Sequence, residues 1–75
     1  MASEKREMLT LAQRLEVSDT LYQNKAFESY YLAIKYATGK TDEQINEMDN
    51  GEIVSMAIEI IDENNFSKKK KSNTN

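Results

Sequence analysis

The sequence predicts an all-α fold, a small bundle of about four helices followed by a basic tail. Three observations carry this reading. Pro is absent and only two glycines occur in 75 residues, so little interrupts a helix. Apolar residues recur at three- and four-residue spacing, and the alternation of a half-buried strand is missing. Capping sequences punctuate the chain where those patterns start and stop.

The elements follow in order. Ser3 is placed to cap a first helix whose apolar stripe is Met8, Leu11, Ala12 and Leu15. Glu16 and Val17 read as a short break. Ser18 then caps a second helix, with Asp19 in its first turn favoured by the positive end of the helix dipole. That helix extends to Thr38, where Gly39 supplies the left-handed residue that ends many helices. Its core stripe is Ala26, Phe27, Tyr30, Ala33, Ile34 and Ala37, and Asn24 is a weak point that would split it into a short helix and a longer one. Thr41 and Gln44 have the form of a capping box opening a short helix with Ile45 and Met48. The segment Asp49-Asn50-Gly51-Glu52 stops it and starts another. There Ile53, Met56, Ala57, Ile60 and Ile61 form an i, i+3, i+4, i+7, i+8 series ending near Asn64. A helical domain over 1–66 and a Lys-rich disordered tail over 67–75, which has no apolar side chain, complete the expected organisation.

Composition narrows the chemistry. Cys and His are both absent, which removes disulfides, thiolate and imidazole metal sites, Cys nucleophiles and His-based acid–base catalysis. The longest apolar run, Tyr30 to Ile34, is five residues, too short to span a bilayer or form a signal-peptide core. A cytoplasmic location fits the lack of cysteine. The net charge is −3, yet four of the ten basic residues are the lysines at 68–71. Residues 1–66 therefore hold six basic against thirteen acidic residues, a balance of −7 that opposes binding to phosphate backbones.

The second helix carries more apolar surface than one core requires. Leu21 and Leu32 point away from its core stripe, amid Lys25, Glu28 and Lys35, and Tyr22 and Tyr36 lie between the two sides. Either this helix is central and covered on two faces, or Leu21, Tyr22, Leu32 and Tyr36 form a partner-binding groove or homo-oligomer seam.

Other motifs fail on their residues. A calcium loop over 46–57 would place Met48 at its third position and Ala57 where a bidentate Glu is needed. Glu59, Asp62 and Glu63 share a helical face that reads as solvated, and no phosphate loop or nucleophile motif is present. The sequence therefore reads as a non-enzyme, with neither catalytic residues nor cofactor nor metal. Leu11-Ala12-Gln13-Arg14-Leu15-Glu16-Val17-Ser18 resembles the first helix and turn of a helix-turn-helix DNA-binding regulator, with residues 19–25 as recognition segment and Gln23 and Asn24 available to adenine. Glu16 stands where such turns use Gly, and that segment holds a single Lys.

A wider similarity covers residues 6–64. The stretch from Tyr31 to Asp49 contains a helix closing on Thr38-Gly39, then Thr41-Asp42-Glu43-Gln44-Ile45-Asn46-Glu47-Met48-Asp49, then an amphipathic helix over 52–64. It resembles small bacteriophage tail assembly chaperones, which show a Thr-acidic-acidic-X-Ile-X-X-Met-Asp segment at that place. The resemblance implies a partner, the tape-measure protein, in the cytoplasm of the phage's host. It also implies extension by a translational frameshift near the C-terminus, for which A-rich codons at the 68–71 lysines would offer a slippery site. The β-rich N-terminal portion of some members has no counterpart here. A small phage or bacterial protein-binding inhibitor would share the same physical signature.

Overall fold

A computed structural model describes residues 6–64. Among them are four helices and no strand: α1 (Leu11–Tyr22), α2 (Ala26–Thr38), α3 (Asp42–Asn46) and α4 (Asn50–Glu63). The Ser3 cap, the boundary at Phe66 and the 67–75 tail lie outside the described residues.

The later elements form as their sequence predicts. Gly39 adopts φ 77° and its N–H donates to the Lys35 carbonyl at 2.9 Å, closing α2. At α3 the Gln44 N–H donates to Thr41 Oγ1 at 3.1 Å, while the Thr41 N–H donates to Gln44 Oε1 at 2.9 Å. The Asp49 N–H donates to Glu52 Oε1 at 3.0 Å as α4 begins. On α4, Ile53, Ala57, Ile60 and Ile61 are buried and Met56 packs against them.

The first half departs from expectation in three respects. No break occurs at Glu16 and Val17, and Ser18 caps nothing. A capping box at Thr10 and Gln13 opens α1, which then runs unbroken to Tyr22. Without Gly or Pro in that stretch nothing forces an end, and Val17 is wholly buried in the middle of the helix. The turn comes at residues 23–25, where Asn24 takes φ 63°, a left-handed conformation that Asn tolerates better than most residues. The break expected at Asn24 is therefore present, but it separates helices of 12 and 13 residues and not a short helix from a longer one.

Second, the stripe Met8, Leu11, Ala12 and Leu15 is not core. Met8, Leu11 and Leu15 are 64%, 65% and 59% exposed, and Ala12 is exposed too. The buried side of α1 carries Val17 and Leu21, roughly 120° around the helix from Leu11 and Leu15 at 100° per residue. Third, Ala26 and Phe27 of the expected α2 stripe are exposed, whereas Ala33, Ile34 and Ala37 are buried and Tyr30 packs against them. Phe27 stands in the first turn of α2, where its ring meets Tyr31 at 6.4 Å instead of the core.

α2 is the central helix. It packs against α1, α3 and α4, the arrangement foreseen for a helix with two apolar sides. Small residues Ser29, Ala33 and Ala37 recur every fourth position along it, all buried; the Ser29 hydroxyl donates to the Ala26 carbonyl at 2.6 Å. Ahead of α1, residues 6–10 form a strap over the C-terminal ends of α2 and α4. The Glu7 N–H donates to the Ala37 carbonyl at 2.8 Å, and the buried Leu9 donates its N–H to Asn64 Oδ1 at 3.0 Å. Arg6 meets Glu59 at 3.0 Å and Glu63 at 3.4 Å. Glu59, Asp62 and Glu63 are exposed, as the solvated-face reading expects, and two of them meet Arg6 at the surface.

Candidate functional site

Leu21, Tyr22, Leu32 and Tyr36 do not form one exposed patch. Leu21, Leu32 and Tyr36 are half-buried and packed against the core, whereas Tyr22, at the last position of α1, is 87% exposed. The difference comes from α1 itself. Because it is one helix ending at Tyr22, it lies along α2 with Leu21 on its inner side, and it meets Tyr36 of α2 through Glu16.

Tyr36 is tied directly to α1. Its hydroxyl donates to Glu16 Oε1 at 2.5 Å. That hydrogen bond, then burial, then the charge of Glu16 hold the Tyr36 phenol above its ordinary value of 10.0. Raising the folded value means the neutral phenol is preferred in the native state. The resulting stabilisation is intact below about pH 10 and is lost as pH rises through the raised value. Ultraviolet titration should therefore show a phenol, that of Tyr36, ionising above the ordinary tyrosine value. Tyr36→Phe should abolish that late step and cost about 0.5–1.5 kcal/mol at neutral pH. A titration unchanged by the substitution would contradict the contact.

Leu32 belongs to an open, mainly apolar groove of about 460 Å³ where α2 meets the start of α3. Phe27, Tyr31 and Leu32 supply its apolar surface, with Glu28, Lys35 and Asp42 around them. The rim is fixed from both sides. Lys35 Nζ pairs with Asp42 Oδ1 at 3.1 Å, and the Tyr31 hydroxyl donates to the Asn46 side chain. Phe27, 42% exposed, is the least covered of the three. Sequence reasoning placed Phe27 and Ala26 in the core by periodicity alone. The signal against this was their position immediately after the Asn24 turn, in the first turn of the helix.

A second recess, about 570 Å³, lies between Arg6, Lys40 and the α4 residues Glu52, Ser55, Met56 and Glu59. Its charges are mixed, and Arg6 is already engaged by Glu59. Among the described residues no group of three or more His, Cys, Asp or Glu is placed to hold a metal ion. No helix among them is long and apolar enough to cross a membrane. The turn that the helix-turn-helix reading places at Glu16 lies inside continuous α1.

Comparison with known proteins finds no matching family model, no matching curated protein and no matching solved structure.

Proposed function

We propose that this chain is a non-enzymatic protein-binding adaptor that holds an apolar helical segment of a partner in the groove formed by Phe27, Tyr31 and Leu32. The observation that carries this is Phe27. A large aromatic side chain is left uncovered beside a rim where Lys35 and Asp42 are already paired with each other. Grooves of this kind bind by receiving one or two bulky apolar anchors while the rim sets orientation. The similarity of residues 31–49 to phage tail assembly chaperones supplies the partner: the tape-measure protein, engaged in the cytoplasm of the host. An acidic body, −7 over residues 1–66, supports a protein partner over nucleic acid.

Calorimetric titration of the full chain with a helical segment of a tape-measure protein tests the proposal. Phe27→Ala should weaken binding by more than about 1 kcal/mol, roughly fivefold or more, while moving the melting temperature little. Binding that is absent, or indifferent to Phe27→Ala, would remove the groove or its partner from consideration.

A further inference from the structure

The outer face of α1 has a spacing of its own. Leu11, Leu15, Ser18 and Tyr22 are separated by four, three and four residues, the a/d alternation of a coiled-coil seam, and Met8 of the strap precedes Leu11 by three. Within α1 itself Leu11, Leu15, Ser18 and Tyr22 fall inside an arc of roughly 60° at 100° per residue. The large members of the series are the most exposed apolar side chains of the described residues. A stripe this narrow fits one facing helix and not a broad core.

The flanking charges select that helix. With Leu11 and Ser18 at d and Leu15 and Tyr22 at a, Arg14 takes position g and Asp19 takes position e of the next heptad. They stand on opposite flanks of the stripe, roughly 70° to either side. Among the described residues neither side chain has an ion-pair or hydrogen-bond partner, and Arg14 Nε is shielded from water without an acceptor. Residues five apart on one helix do not face each other. In a parallel pair of helices, however, position g of one lies beside position e of the other five residues on. Two copies of α1 side by side would therefore set Arg14 against Asp19 twice, once on each flank. An antiparallel pair would set g against g and e against e, and that complementarity would be lost.

We propose that α1 is the seam of a two-fold homodimer, with the helices parallel and in register. Leu11, Leu15 and Tyr22 pack on their counterparts, and Arg14 pairs with Asp19 of the other copy. No residue of the Phe27 groove takes part, so this inference stands apart from the function proposed above.

Sedimentation equilibrium of the full chain should show a concentration-dependent dimer. Leu15→Glu, at an exposed position, should abolish it while the circular dichroism spectrum stays that of the parent. Arg14→Asp alone and Asp19→Arg alone should each weaken the dimer by about five- to tenfold, and the combined exchange should restore it. Because the sequence contains no cysteine, Ser18→Cys introduces a single thiol at the centre of the seam. Mild oxidation should then link two copies covalently. A chain that remains monomeric up to about 1 mM overturns the proposal, as does a dimer indifferent to Leu15→Glu. A charge exchange that fails to restore association overturns the parallel register.

Discussion

Ile60→Ala should lower the stability of the domain by about 2–5 kcal/mol, a loss in the range of the other fully buried isoleucines, Ile34 and Ile45. Ile60 has no exposed surface and shares one buried cluster with Ala33, Ile34 and Ala37 of α2. The backbone of α4 cannot follow the removed atoms inward without disturbing Ile53, Ala57 and Ile61, which are buried in the same helix. The lost transfer energy and the cavity therefore add. Against a total near 5–15 kcal/mol for a folded domain, this loss is large. Ile58 provides the control, with the same side chain two residues away and 46% of it exposed. Ile58→Ala should cost well under half as much in a urea titration. Equal costs would mean that α4 is not seated on α2 by the face described.

The second large effect belongs to a polar group. Asn64 is buried, accepts the Leu9 N–H through Oδ1 at 3.0 Å and donates through Nδ2 to the Ile60 carbonyl at 2.8 Å. Asn64→Leu keeps comparable volume but leaves the buried Leu9 amide without an acceptor, at a cost of about 1–3 kcal/mol. Asn64→Asp should do at least as much harm, because an oxygen would replace the donor facing Ile60 and a charge would be buried. Hydrogen exchange gives a local reading. The Leu9 amide should be protected in the parent and exchange much faster in Asn64→Leu. Unchanged protection of that amide would show that Asn64 does not hold the strap.

What the sequence revealed depended on whether the deciding signal was local. The caps at Thr41 and Asp49 and the stop at Gly39 are fixed by residues three or four apart, and all three stand where the sequence places them. The stripe of α4 was equally clear, because five apolar residues fall on it and only Val54 and Ile58 lie to one side. α1 misled because it has two apolar faces. Leu11 and Leu15 make one and Val17 and Leu21 the other, and periodicity cannot say which of them meets α2. The Thr10-Leu11-Ala12-Gln13 box was legible by the same rule that identified Thr41, and it would have moved the helix start away from Ser3. Leu9 and Asn64 were not legible. Their burial depends on a contact between residues 55 apart, which no local pattern encodes. The groove was missed for a related reason. Phe27 fits the α2 stripe by spacing, and only the position of the Asn24 turn leaves it outside.

That same strap has a topological consequence. Through Leu9 and Asn64 it brings the beginning and the end of the four-helix body into contact, while the link between α1 and α2 is three exposed residues around Asn24. The order in which the helices are strung is therefore nearly independent of how they pack. Joined by a short linker across the strap and cut at Asn24, the same helices could be threaded α2, α3, α4, α1 around an unaltered core. The architecture behaves as a closed ring of elements that the chain happens to enter ahead of α1.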